Sequence, residues 1–166
     1  IANWYQYSRK RQLVARGAIG KVITTFPEFR YGISVFNQFN GSWPTNLFVQ
    51  MPVNPTPPYD TQNANLISKL YGFKWTSNGT PGPLGLSRAG DYYKGSWPGT
   101  TKPTPASPIL TAAEGGKCQQ NFSLFMTDGF WNDGSSFGKY TGMVDKDQDG
   151  LSHTVADVAY YYYTEN

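Results

Sequence analysis

Hydrophobic and polar positions along the chain follow patterns that predict helices separated by strands and long loops. Apolar residues recur at helical spacing in four segments. A proline after the first segment and a glycine after the second are typical of helix ends. The predicted helices span residues 2–24, 61–71, 84–93 and 154–163.

Three further segments have the composition of strands. Phe29–Phe36 is apolar on both alternations, which predicts a central strand covered on both faces. Phe122–Met126 is a second strand that stops shortly before Asp128, and Leu47–Met51 is a possible edge strand. The order helix, strand, helix, helix, strand, helix predicts an α/β fold with a mostly parallel sheet.

Length and composition predict one extracellular domain rich in loops. The 166 residues suit a single domain over 1–166, with insertions near 37–59 and 94–108. Aromatic residues make up 16% and charged residues only 15%, below the usual quarter for charged residues. The net charge of +3 is too mild to predict nucleic-acid binding, and no apolar run is long enough for a transmembrane segment.

The chain contains a single cysteine, Cys118, so an internal disulfide is excluded. Two interpretations stay open for Cys118: a buried free thiol, or a disulfide with a partner outside this fragment. The first residue is not methionine, and the first residues resemble neither a signal peptide nor a tag. We therefore expect the chain to be a fragment of a longer protein.

Thr80 and Asp128 are the first candidate metal ligands. Asp128 follows a predicted strand, and ligands collect at the carboxyl ends of strands in open α/β sheets. Thr80 lies between Gly79 and Pro81, so its hydroxyl sits on a rigid turn. Hard divalent cations prefer such oxygen ligands. The alternative is that Thr80 opens a turn and Asp128 caps the following loop.

A second candidate is the acidic sequence Asp145-Lys-Asp147-Gln-Asp149-Gly150. Carboxylates at alternate positions followed by glycine match the first half of a calcium loop. The twelfth loop position is Ala156 rather than the usual Glu, and Asp157 one place later is a possible substitute. The alternative is a solvated acidic turn before a helix, where Asp residues are also favourable.

Aromatic residues in the loops offer a third kind of site. Trp43, Trp97 and Trp131 lie in or beside predicted loops, where rings stack on sugars, contact a partner protein or pack over sheet edges. With one histidine, catalysis built on imidazole is not expected. Asp128 with Asp133 is the nearby carboxyl pair that a hydrolase would need, so a hydrolase is a third interpretation.

Several motifs resemble known families. Gly79-Thr80-Pro81 and Phe125-Met-Thr-Asp128-Gly are similar to the second and third ion-ligand motifs of von Willebrand factor type A domains. Thr127-Asp-Gly-Phe-Trp-Asn132 and Ala156-Asp-Val-Ala-Tyr-Tyr-Tyr162 resemble the N-terminal region of PilY-type proteins, which are type IV pilus tip adhesins and assembly factors.

One departure concerns the first ion-ligand motif of type A domains, Asp-x-Ser-x-Ser. Asp133-Gly-Ser-Ser-Phe137 fails at its last position and follows the other motifs instead of preceding them. The resemblance therefore implies an incomplete, doubly wound domain whose first strand and first motif precede Ile1.

The resemblance implies a binding module rather than an enzyme. Its expected place is the extracellular pilus tip, associated with the outer membrane, and its expected partners are minor pilins or a host-surface protein or glycan. A divalent cation (Mg²⁺, Mn²⁺ or Ca²⁺) on Thr80 and Asp128 would leave a position open for a partner's carboxylate, with a further Ca²⁺ at the acidic loop. The alternative function is a secreted carbohydrate-binding or calcium-stabilised structural module.

Overall fold

The computed structural model describes residues 10–35, 48–74, 80–96, 107–127, 129–130 and 144–164. The described residues belong to two compact units. The first unit contains residues 10–34 and 48–74, and the second contains residue 35 and all the described residues from 80 onward. The elements are α1 (Arg11–Thr25), β1 (Ile33–Ser34), β2 (Phe48–Val49), α2 (Asp60–Gly72), α3 (Gly82–Lys94) and α4 (Val155–Thr164), with 3₁₀ turns at Ala112–Glu114 and Gly116–Cys118.

The first unit has an aliphatic core between α1, α2 and a short hairpin-like sheet. Strands β1 and β2 pair antiparallel, with Ile33 opposite Val49. Ile23 of α1, Val49 of β2 and Leu66 of α2 are buried in one cluster. Because these side chains come from three separate elements, removal of their apolar surface from water holds the unit together.

Side-chain hydrogen bonds to backbone carbonyls also connect distant parts of the first unit. The guanidinium of Arg16 donates to the carbonyl of Phe73, beyond the end of α2. The side chain of Gln62 donates to the carbonyl of Gln50 at 2.6 Å, and that of Asn63 donates to the carbonyl of Pro27 at 3.2 Å. These bonds provide backbone carbonyls of the first unit with side-chain donors.

The second unit packs α4 closely against α3 at a glycine. Leu84 and Val158 form its buried apolar cluster, with Tyr161 and Tyr162 packed against them. A methyl group on Gly90 would overlap the ring of Tyr162. Gly90 therefore lets the tyrosine ring lie directly on the backbone of α3.

A partly buried polar network accompanies this packing. The hydroxyl of Tyr162 donates to Asp91 Oδ1 at 2.9 Å and lies 3.4 Å from the hydroxyl of Ser87. Burial raises the pKa of Asp91, although the bond from Tyr162 and the charge of Arg88 act in the opposite direction. Burial also raises the pKa of Tyr162, and the negative charge of Asp91 adds to that effect.

Residues 107–127 continue the second unit without a long helix or strand. Thr111 and Glu114 form a capping box at the first 3₁₀ turn, with their side chains 2.6 Å apart. Gln119 accepts a hydrogen bond from the N–H of Leu110 at 2.9 Å. These bonds fold residues 110–119 into a compact turn, and the chain leaves it along residues 121–127.

The helix predictions are confirmed with small shifts at the ends. α2, α3 and α4 match the predicted segments within two residues at each end. α1 matches the predicted first helix from Arg11 onward, and residues 1–9 lie outside the described residues. Among the described helices, none combines the length and the apolar character that crossing a bilayer demands.

The strand predictions are confirmed only in part. The segment predicted as a central strand forms only the two-residue β1, and its partner β2 runs antiparallel rather than parallel. β2 confirms a strand within the predicted segment Leu47–Met51. Phe122–Met126 has no regular secondary structure in the described chain, contrary to prediction. The von Willebrand A-like sheet and the single domain over 1–166 stay predictions.

Candidate metal centre

The acidic loop before α4 is shaped by left-handed backbone conformations. Asp145, Gln148 and Gly150 have φ angles of 42°, 64° and 85°. Asp145 Oδ1 accepts a hydrogen bond from the N–H of Gly150 at 3.0 Å, and Asp149 Oδ1 accepts one from Leu151 at 2.8 Å. Side chains that bond their own backbone in this way stabilise a tight loop.

This loop brings three carboxylates together. Asp145, Asp147 and Asp149 each offer a carboxylate oxygen, and these atoms all lie within 4.8 Å of one another. Asp147 Oδ1 is shielded from solvent and makes no hydrogen bond among the described residues. Like charges at this separation repel, and a bound cation would remove that repulsion.

Asp157 is fully buried and joins the loop to the helix. Its Oδ2 accepts hydrogen bonds from the N–H of Thr154 at 2.8 Å and from the Thr154 hydroxyl at 3.0 Å. The N–H of Asp157 donates back to the Thr154 hydroxyl at 3.1 Å. Asp157 Oδ1 accepts from the N–H of Lys146 in the acidic loop. One carboxylate therefore caps α4 and anchors the loop.

These bonds determine the ionisation of Asp157. Burial alone raises the pKa of a carboxyl group because the charged form loses its water. For Asp157 the hydrogen bonds from the backbone of Thr154, Lys146 and Asp147 outweigh burial, and the pKa is lowered. The group is therefore charged at neutral pH and serves as an acceptor for several N–H groups.

A lysine connects the acidic loop to the core of the second unit. Lys146 Nζ lies 5.6 Å from the ring centre of Tyr161, and Lys94 Nζ of α3 lies 4.5 Å from the same ring. Cations over an aromatic face are attracted by its quadrupole. Lys146 thus links the loop that carries the acidic cluster to α4, and Lys94 links α3 to the same ring of α4.

The donor set fits a calcium ion in part. Three carboxylates at alternate positions supply hard oxygen ligands, and glycine at the sixth position permits the sharp turn. Asp157 is not one of the three clustered carboxylates, and its oxygens accept the Thr154 and Lys146 bonds. The three clustered carboxylates would therefore hold the ion, and the predicted ligand Asp157 would position them.

The other predicted metal pair is only half described. Thr80 directly precedes Pro81 at the start of α3, and its carbonyl accepts a hydrogen bond from the N–H of Gly82 at 2.8 Å. Asp128 lies outside the described residues, so the predicted pair Thr80 and Asp128 stays a prediction.

Of the remaining candidate residues, only Cys118 belongs to the described part of the chain. Cys118 ends the second 3₁₀ turn and is an exposed free thiol, so the interpretation of a buried thiol is wrong. The aromatic candidates Trp43, Trp97 and Trp131, and the acidic residue Asp133, lie outside the described residues.

The chain is similar in sequence to two curated proteins of type IV pilus biogenesis. The type IV pilus biogenesis factor PilY1 of Pseudomonas aeruginosa strain PAO1 is 27% identical over 187 residues, covering 98% of the chain. Almost the whole length of this chain is therefore similar to PilY1. PilY1 of P. aeruginosa strain PAK is 25% identical over 184 residues, again covering 98% of the chain.

The match covers a small part of PilY1 itself. The chain spans about 15% of the length of these curated relatives. No protein-family model matches the chain. No solved structure gives a significant match. The similarity to PilY1 supports the resemblance to PilY-type proteins found in the sequence, while the von Willebrand A-like fold stays a prediction.

Sequence reasoning missed the structural role of Asp157. It treated this residue as a possible ligand, although Thr154 and Asp157 have the spacing of a capping box, with Asp in place of the usual Glu. It also missed the bond between Asp91 and Tyr162, because the two residues lie 71 positions apart. A capping search would have found the first pair, and no local signal marks the second.

Proposed function

We propose that this chain is part of a PilY-type protein that acts in type IV pilus biogenesis and adhesion, and that its role is binding rather than catalysis. The support is the similarity to PilY1 across 98% of the chain, together with the sequence motifs around Asp128 and Asp157. The proposed partners are minor pilins or a host-surface protein or glycan, met at the pilus tip outside the cell.

A genetic test addresses the pilus role. In a bacterium that carries this protein, deletion of the gene should reduce surface pili and pilus-dependent movement, and the natural gene should restore both. Normal piliation and movement in the deletion strain would contradict the proposed role. Restored pili without restored attachment to host cells, in a point variant, would separate assembly from adhesion.

The finer proposal is an adhesion site built on a divalent cation. Thr80 and Asp128 would bind Mg²⁺, Mn²⁺ or Ca²⁺ with one coordination position left for a carboxylate of the partner. Thr80 directly precedes Pro81 before α3, and a proline restricts the backbone of the residue before it, which supports a fixed position for the Thr80 hydroxyl.

Binding by the natural, full-length protein tests the adhesion site. Attachment should fall on addition of EDTA and in the variants T80A and D128A, and it should return when Mg²⁺ or Mn²⁺ is added to the natural protein. D60N changes an acidic residue at the start of α2 and serves as the control. Equal attachment by D128A and the natural protein would remove this mechanism.

The acidic loop favours a second function, a calcium-stabilised structural module. Asp145, Asp147 and Asp149 would hold Ca²⁺ with carboxylate oxygens, and Asp157 would fix the loop to α4. A ligand that binds the folded state alone stabilises it, by about 2.7 kcal/mol at a concentration of 100 Kd. Calcium should therefore protect α4 from opening.

Hydrogen exchange with Ca²⁺ alone as the probe tests this module. Calcium should slow exchange of the amides in residues 144–164, and Mg²⁺ should act less because it demands stricter octahedral geometry. D147N should abolish the response to calcium, whereas D60N should keep it. Identical exchange with and without calcium would exclude a calcium site at this loop and would leave the Thr80 and Asp128 proposal untouched.

A further inference from the structure

The solvent-facing side of α1 carries a row of exposed apolar side chains. Val14, Val22 and Phe26 are 49%, 47% and 47% exposed, and Ala18 between them is exposed as well. Residues four apart form a continuous row on a helix, so these side chains lie in line along α1. The opposite side of α1 packs into the core of the first unit through Ile23. The row is therefore apolar surface that this core does not cover.

An exposed aromatic pair extends the row beyond the end of the helix. Phe29 is 57% exposed, and its ring centre lies 6.4 Å from that of Phe26. The hydroxyl of Tyr31 donates to the carbonyl of Phe26 at 3.0 Å, which holds the turn that carries both rings. From Val14 to Phe26 the row is about 18 Å long. A continuous apolar strip thus ends in two exposed rings.

Basic residues accompany the row, and α1 contains no acidic residue. Lys10 lies four positions before Val14, and Lys21 lies three positions after Ala18; both lysines are exposed. Lys10 and Arg11 stand at the helix end where the helix dipole favours negative charge, so α1 itself gains no stability from them. Their charges suit an anionic surface outside the helix.

The positive charge of the described chain is concentrated on the unit that carries this row. The described part of the first unit holds seven lysine and arginine residues and two carboxylates, a net charge of +5. The described part of the second unit holds four and six, a net charge of −2. An anionic surface would therefore attract the first unit and not the second.

We propose that this face of α1 binds the surface of a bilayer that contains anionic lipids, with α1 parallel to that surface. The apolar row and the rings of Phe26 and Phe29 would enter the boundary between headgroups and acyl chains. Lys10 and Lys21 would contact the headgroup phosphates. Helices that lie in the membrane interface combine an apolar face with lysines and arginines in this way.

The kind of cation favours a lipid surface over a protein partner. Lysine is depleted in protein–protein interfaces, where arginine is enriched. At a bilayer the aliphatic stem of a lysine lies along the apolar boundary while its ammonium group reaches the headgroups. Within the described part of the chain, neither Lys10 nor Lys21 forms an ion pair. Both ammonium groups can therefore meet a phosphate.

Sedimentation of the natural, full-length protein with vesicles tests the binding. More protein should sediment with vesicles of phosphatidylcholine and phosphatidylglycerol than with phosphatidylcholine alone, and added salt should remove the difference by screening. K10Q/K21Q should lower the partition coefficient about 25-fold, since each lysine near an anionic surface contributes roughly a factor of five. K117Q removes an exposed lysine of the second unit and should bind like the natural protein.

The apolar part of the contact needs its own variant. F26A should lower the partition coefficient about tenfold, because a buried phenylalanine side chain is removed from the bound state. Its thermal unfolding should change little, because Phe26 is half exposed in the free protein. Y163A removes an aromatic side chain that is 86% exposed in the second unit, and it should bind like the natural protein.

A polarity-sensitive dye identifies the face that enters the lipid. In a C118S background, a dye attached through V22C should shift its emission to the blue on the anionic vesicles, because this position would leave water. A dye attached through Y163C on α4 should keep its emission.

Three results would overturn the proposal. Equal sedimentation with the two kinds of vesicle, or none with either, would exclude an anionic lipid surface. A V22C dye that keeps its emission on protein bound to vesicles would mean that another face makes the contact. If K10Q/K21Q abolished pilus-dependent attachment while the natural protein ignored both kinds of vesicle, this face would bind an acidic protein surface instead.

Discussion

The two units of this chain hold their helices together by different means. In the first unit, α1, α2 and β2 meet through aliphatic side chains at Ile23, Val49 and Leu66. In the second unit, α3 and α4 meet at a glycine and at a partly buried network of tyrosine, serine and carboxylate. The first kind of contact tolerates changes in polar residues, whereas the second depends on individual hydrogen bonds and on the absence of one side chain.

The largest effect is expected from emptying the aliphatic core of the first unit. Leu66→Ala removes a fully buried side chain and leaves a cavity, so it should lower the free energy of unfolding by about 2–5 kcal/mol. Hydrogen exchange should show the loss chiefly in α1 and α2. Val22→Ala, at an exposed position of α1, is the control and should change little.

In the second unit the matching test is made at Asp157, whose carboxylate is fully buried. Asp157→Asn removes the charge that accepts bonds from Thr154 and Lys146, and bonds to charged groups contribute about 1.5–3 kcal/mol. Faster exchange should appear in α4 and in residues 144–150. The control Asp60→Asn, at the start of α2 where no side-chain cap bond is made, should cost well under 1 kcal/mol.

The sequence predicts the helices of this chain better than its strands. Apolar periodicity predicted α2, α3 and α4 because each keeps an apolar face at helical spacing. The strands were harder, since a run apolar on both alternations, such as Phe29–Phe36, does not reveal the direction of its partner. Phe122–Met126 has strand composition, yet composition cannot supply the neighbour that a strand needs.

The candidate site could be predicted only where its residues are close in sequence. Asp145, Asp147 and Asp149 were found from their spacing, and the loop does bring their carboxylates together. The role of Asp157 depends on backbone N–H groups whose direction only a folded loop defines. Asp91 and Tyr162 meet through tertiary packing, which no short pattern records.

Replacing a glycine with alanine is expected to lower stability in the second unit but not in the first. Gly90→Ala would overlap the ring of Tyr162, and overpacking of this kind costs about 1–3 kcal/mol. Gly72→Ala meets nothing within 4 Å at the end of α2, and it should be neutral or stabilising by up to about 1 kcal/mol. Thermal unfolding measures both. If Gly90→Ala were as stable as the natural chain, α4 would not pack on α3 in this way.

A smaller effect is expected from the hydroxyl of Tyr162. Tyr162→Phe keeps the ring over Gly90 but removes the bond to Asp91, which should cost about 0.5–1.5 kcal/mol. The pKa of Asp91 should rise further, because the Tyr162 bond now lowers it. Titration by NMR would measure that shift. Tyr163→Phe, on the exposed face of α4, should leave both stability and the pKa of Asp91 unchanged.

Mild acid should give the smallest effect, because two carboxylates of the second unit respond in opposite directions. The pKa of Asp157 is lowered from the ordinary 3.8, so its contribution is present above pH 3.8 and is lost as the pH falls through the lower, folded value. The pKa of Asp91 is raised from 3.8, so its contribution is present below pH 3.8 and is lost as the pH rises through the higher, folded value. As the pH falls from neutral toward 3.8, Asp91 takes up its proton before Asp157 does, so amides near Asp91 in α3 should gain protection while those at the start of α4 stay unchanged. Asp91→Asn should abolish the gain in α3, and Asp157→Asn should leave it in place. A gain at the start of α4 instead would mean that Asp157, not Asp91, carries the raised pKa.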